Sequence, residues 1–111
     1  MNHATRHFVA QRISAVLLVV LGLWFAGSMS GLDSFEHVVV VAFIAEPLNG
    51  VLLALLCATL AYHSYLGVQV VVEDYVHTPG LVTFSLVASR IAHAFVALAS
   101  IYAVFKTGFG A

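Results

Sequence analysis

The distribution of charge constrains this chain more than any other feature. Between Arg12 and Asp33 lie 20 consecutive uncharged residues, and between Glu46 and Glu73 lie 26. A third apolar stretch, Leu81 to Phe105, is interrupted only by Arg90. An α-helix needs roughly 20 apolar residues to cross bilayer hydrocarbon. The pattern therefore predicts an all-α membrane protein with three transmembrane helices, at about 9–30, about 47–72 and about 82–106. Composition agrees, with 62% hydrophobic and 8% charged residues where soluble domains carry about 25% charged. Nine charges in 111 residues cannot cover the surface of a soluble domain. The net charge of −1 leaves no basic footprint for nucleic acid. Three spans also use up nearly the whole chain, which reads as a single transmembrane domain with no extramembrane unit.

Local signals place the ends of the spans. Pro47 suits the first turn of the second helix. His77-Thr78-Pro79-Gly80 marks the break before the third. The mixed segment 33–46 reads as a loop with a short interfacial piece. The first apolar run exceeds a signal-peptide core of roughly 7–15 residues, so a retained helix is expected. Cys57 stands alone in the sequence, which excludes an intrachain disulfide, and its apolar context predicts a small buried hydrophobe. Arg6, Arg12 and Arg90 fall on one side, while the loop 33–46 carries three acids and no Lys or Arg. The positive-inside rule then puts the N-terminus and the connector Glu73–Gly80 in the cytoplasm or matrix.

Ionisable groups inside a bilayer are expensive, so each one is a candidate site. His63 lies 11 residues before Asp74, about 16 Å in depth along a helix. A neutral imidazole at that depth needs a hydrogen-bond partner on a neighbouring helix or a metal. Haem iron suits a lone membrane His because the macrocycle is apolar. Spacing alone leaves the two readings level. Gly67, Val70 and Asp74 share the His63 face at i+4, i+7 and i+11, and Gly67 offers a notch where a flat ring can approach the backbone.

Asp74 and Tyr75 read either as an interfacial pair ending the helix or as a quinone-head site. In the second reading Tyr75 donates its phenolic proton to a carbonyl, and Asp74 orients neighbours or relays protons. Arg12, expected at the inner edge with Asp74, reads as a snorkelling anchor or as the partner of a carboxylate such as a haem propionate. His93 matches His63 in depth, which permits an intrachain bis-His site, although an interhelical hydrogen bond is the preferred reading. His3, His7, His37 and His77 are expected to be solvated, and Arg90 to be structural. Small residues at four-residue spacing, Ala54/Ala58, Ala88/Ala92 and Ala99/Ala103, suit close helix packing.

The segment His63-Ser-Tyr-Leu-Gly-Val-Gln-Val-Val-Val-Glu-Asp-Tyr-Val76 resembles the second helix of the small membrane-anchor subunit of succinate dehydrogenase, complex II. That family carries H-x3-G-x6-D-Y, met here by His63, Gly67, Asp74 and Tyr75 with the spacing intact. Gln11-Arg12-Ile13-Ser14-Ala15 resembles the family's start of helix 1, an Arg followed by a small or hydroxyl residue and Ala. The sister anchor has a His-Arg pair there. Gln11 stands in place of that His, so the resemblance is to the smaller, second anchor. His77-Thr78 stand where relatives carry Lys directly before Pro.

The resemblance implies a part in a heteromeric, haem-binding helix bundle. His63 would be one axial ligand of haem b, with the other supplied by a sister anchor. Gly67 would pack against the haem, and Arg12 would lie near a propionate. Asp74 and Tyr75 would form the quinone-site pair, with ubiquinone or menaquinone as substrate. The implied partners are an iron–sulfur subunit and a flavoprotein subunit, with succinate oxidised outside this chain. The implied membrane is the bacterial inner membrane, or alternatively the mitochondrial one. Rival readings are a free-standing haem b protein using His63 and His93, and a cofactor-free anchor. A small transporter is disfavoured because every acid lies at a helix end or in a loop.

Overall fold

The computed structural model describes residues 2–110, and among these the elements are four helices. They are α1 (His3–Ser30), α2 (His37–Ala45), α3 (Pro47–Tyr75) and α4 (Pro79–Gly108). The three long ones are each apolar enough to cross a membrane, so this is an integral membrane protein of the helical-bundle type. They are apolar all round, as expected where the solvent is lipid. The molecule is 51 Å long, well beyond the roughly 30 Å of bilayer hydrocarbon, so the helix ends reach past the apolar layer.

Each long helix extends past the span expected from hydropathy, and local chemistry explains why. Asn2 caps α1: its Oδ1 accepts the Thr5 N–H at 2.8 Å, which starts the helix well before residue 9. In α3 the Val76 N–H donates to the Val72 carbonyl at 2.9 Å, carrying the helix through Glu73, Asp74 and Tyr75. Pro79 opens α4 at its first position rather than lying in the break before it, because a first-turn residue needs no N–H donor. The apolar half of segment 33–46 forms α2.

The central element is α3. It packs against α1, α2 and α4, whereas α1 and α4 do not touch. Ser14 of α1 meets His63 of α3, and Ser64 of α3 meets His93 of α4. Both neighbours run antiparallel to α3. The apolar core is small, made of Leu21, Ala54, Leu56, Leu66 and Val104. Ala54 is buried in it, while Ala88, Ala92, Ala99 and Ala103 of α4 are exposed. Cys57 is only half-buried and lines a cleft between α3 and α4, a correction to the buried position expected from its apolar context.

At one end, α2 nests between α3 and α4. Trp24 of α1 stacks on Phe43 of α2 with ring centroids 6.0 Å apart, and Asn49 Nδ2 donates to the Phe43 carbonyl at 3.1 Å. Two glycines make the nesting possible. A Cβ added at Gly108 would lie 3.0 Å from the Ile44 carbonyl oxygen, and one at Gly50 would lie 3.1 Å from the same atom. That neighbour is backbone and cannot rotate away. Gly108→Ala is therefore expected to destabilise the chain by about 1–3 kcal/mol through overpacking. Gly27→Ala, with nothing within 4 Å of its Cβ, should be neutral or stabilising. Thermal unfolding of the two variants in detergent checks the contrast.

Candidate functional site

The site is built on the seam between α1 and α3. His7, Gln11 and Ser14 fall at i, i+4 and i+7, one face of α1, and this face meets α3. Ser14 is 3% exposed. Its Oγ lies 2.8 Å from His63 Nδ1 and 3.0 Å from the Gln11 carbonyl oxygen. His63 is half-buried, and its Nε2 has no hydrogen-bond partner among the described residues. The His63 ring is thus held at one nitrogen and open at the other.

One turn along α3, Gly67 faces the Gln11 side chain, and a Cβ there would lie 3.9 Å from Gln11 Nε2. Gln11 Oε1 and His7 Nε2 are both buried without a partner. His7 was expected to be solvated. The early start of α1 instead carries it onto the α3-facing stripe. His3, His37 and His77 are exposed, as the sequence suggests.

Asp74 and Tyr75 close α3. Tyr75 is 78% exposed, Asp74 is also exposed, and neither has a polar partner within the chain among the described residues. Glu73 and Asp74 sit at the negative end of the helix macrodipole with no basic residue in that turn. Helix stability does not favour acids there.

Arg12 is not brought to Asp74. With Ser14 opposite His63 and Gln11 opposite Gly67, Arg12 stands at the level of Tyr65 and Leu66, about 12 Å deeper than Asp74. The expectation that both mark one edge is corrected, because α1 begins about two and a half turns before Arg12. Two residues from Ser14, Arg12 lies about 200° around α1, on the side away from α3. Its guanidinium carbon is 5.1 Å from the centroid of the Phe8 ring.

His93 belongs to a different seam. Its Nδ1 donates to the Ser89 carbonyl at 2.8 Å, and its Nε2 lies 3.0 Å from Ser64 Oγ. Tyr65 meets the ring edge-on at 5.9 Å. Both nitrogens are engaged, Nδ1 within α4 and Nε2 across to α3. His63 and Ser64 are adjacent on α3, so they point about 100° apart. The chain therefore does not assemble a His63–His93 pair, and the preferred reading of His93 as an interhelical hydrogen bond stands. Nor do three or more His, Cys, Asp or Glu residues cluster to hold a metal ion among the described residues.

Sequence reasoning gave no role to Ser14, and it placed His7 in solvent. The available signal was the run of polar residues at 7, 11 and 14 on an otherwise apolar helix. Reading it required knowing which face of α1 meets α3.

Comparison with known proteins adds a second kind of information. The sequence model of one family, described as succinate dehydrogenase/fumarate reductase transmembrane subunit, matches residues 1–106. A succinate dehydrogenase hydrophobic membrane anchor subunit from Rickettsia bellii is 30% identical over 94% of this chain and 83% of its own length. The protein of that name from Rickettsia prowazekii is 24% identical over the same shares. That from Rickettsia felis is 28% identical over 68% of this chain and 62% of its own length.

Proposed function

The chain belongs to the succinate dehydrogenase/fumarate reductase transmembrane-subunit family, as a hydrophobic membrane anchor, and from that premise we propose the following role. With a sister anchor chain it seats an iron–sulfur subunit and a flavoprotein subunit on the membrane. It binds haem b jointly with the sister and contributes part of the quinone-reduction site. The membrane is the bacterial inner membrane, with the N-terminus cytoplasmic, the side favoured by Arg6, Arg12 and Arg90.

The observation that carries this reading is the state of His63. Among the described residues its ring is anchored through Nδ1 and leaves Nε2 free, 11 residues from an Asp-Tyr pair without polar partners. A lone neutral imidazole with one open nitrogen fits a haem axial position. Among the described residues His93 is bonded at both nitrogens and His7 lies seven residues along α1 from Ser14, about 10 Å away, which supports a second ligand from the sister. Gly67 removes side-chain bulk one turn from His63 on the way to Asp74. Arg12, exposed at nearly the depth of His63, supplies a guanidinium for a propionate. Haem b, held by His63 with Arg12 toward a propionate, would supply a one-electron store.

The chemistry of this chain's own residues is proton handling. Tyr75 donates its phenolic hydrogen bond to a quinone carbonyl, which orients the head and favours charge arriving on that oxygen. Asp74, at the aqueous end of the same helix, passes protons from water toward the oxygen being reduced. The electrons come from succinate oxidised in the flavoprotein, by way of the iron–sulfur subunit. The chain alone oxidises no succinate.

The test is purification of this chain expressed with its partner subunits, followed by identification of co-purifying proteins and an optical spectrum. Three further subunits and a low-spin haem spectrum are expected, and no haem from the chain expressed alone. An assembled complex that shows only flavin and iron–sulfur absorption, without low-spin haem bands, would refute haem binding. Low-spin haem on the isolated chain would refute the shared ligation.

A further inference from the structure

We propose that Ser14 is a positioning residue for the haem, fixing the His63 tautomer and through it the reduction potential. The inference rests on the reading of His63 as a haem ligand and names a residue to which that reading gives no role. Ser14 Oγ makes two short contacts, 2.8 Å to His63 Nδ1 and 3.0 Å to the Gln11 carbonyl oxygen. A hydroxyl has one proton to give. The carbonyl can only accept, so both contacts are hydrogen bonds only if the Ser14 proton goes to Gln11. Nδ1 must then carry its own N–H and donate it to Ser14 Oγ. A neutral imidazole has a single N–H, which leaves the lone pair on Nε2.

The arrangement sets more than orientation. A hydrogen bond accepted from the far nitrogen raises the basicity of a ligating imidazole. A more basic ligand favours ferric over ferrous iron and lowers the midpoint potential. Ser14 is 3% exposed, so its contact with His63 is shielded from solvent. Partners of this kind are typically worth about 10–100-fold in metal affinity. A tenfold loss falling on the ferric form corresponds to a rise of about 59 mV.

The experiment is an optical redox titration of the purified complex carrying Ser14→Ala, Ser14→Thr or the native residue. Ser14→Ala is expected to raise the midpoint by an amount on the order of 59 mV and to weaken haem retention. Ser14→Thr keeps the hydroxyl and should keep the native potential. A native potential in Ser14→Ala overturns the proposal, as does an equal shift in the Thr and Ala variants. If Ser14→Ala does not assemble, Ser14→Cys replaces it, because a thiol is a weak acceptor of similar size. The Cys variant must also shift upward, and a native potential there counts against the proposal. The underlying reading fails separately: His63→Ala with an unchanged haem spectrum would overturn ligation whatever the Ser14 variants show.

Discussion

His63→Ala in the assembled complex is expected to remove the low-spin haem spectrum. The side chain lies about 16 Å along α3 from Asp74, and the structure leaves its Nε2 free while anchoring Nδ1 to Ser14. Losing a partner of the ligand costs about 10–100-fold in metal affinity, and losing the ligand itself costs more. The fold should survive the change. Ala leaves the Ser14 hydroxyl bonded to the Gln11 carbonyl, so the interior loses one hydrogen bond, about 0.5–1.5 kcal/mol. Co-purification of the partner subunits shows that the variant has assembled. An assembled His63→Ala complex with native low-spin bands would reject ligation by this residue. The same variant at His93 is expected to keep the haem, because both His93 nitrogens are already bonded, Nδ1 to Ser89 on its own helix and Nε2 to Ser64 on α3.

Tyr75→Phe is expected to lower quinone reduction by roughly 10²–10³-fold, the usual loss when one hydrogen-bond donor to a developing oxyanion is removed. Tyr75 is 78% exposed and its hydroxyl has no partner among the described residues. The substitution therefore breaks no internal contact and should leave stability unchanged. Succinate oxidation measured with a water-soluble electron acceptor should also be unchanged, because that chemistry lies in another subunit. The split between the two assays separates a quinone-site role from faulty assembly. Full quinone reductase activity in Tyr75→Phe would reduce Tyr75 to an interfacial aromatic.

The spans were legible because charge and bilayer thickness act on every residue independently of its neighbours in space. Long uncharged runs have one stable solution in lipid, a helix that satisfies its own backbone. Helix ends were less legible. The start of α1 depends on one Asn2 cap, and the end of α3 runs past its last apolar residue through Glu73 and Asp74 to Tyr75. Hydropathy carries no signal for either. The candidate site was legible where it is local to one helix. His63, Gly67, Asp74 and Tyr75 share α3, so their spacing survives in any packing. The placement of His7 and Arg12 was misjudged because both lie on α1, whose start and facing were not readable from composition.

The sequence by itself determined three helices, a membrane as their solvent and the order of groups along α3. These follow from rise per residue and from the cost of burying charge, both properties of a single helix. Tertiary structure decided which nitrogen of His63 is held, that Ser14 holds it, and that His93 is committed to the opposite seam. It also placed Arg12 nearer the depth of His63 than that of Asp74. Those outcomes depend on the register and rotation of α1 and α4 against α3. An all-round apolar helix carries no amphipathic face to announce its rotation, and only side chains in contact fix it.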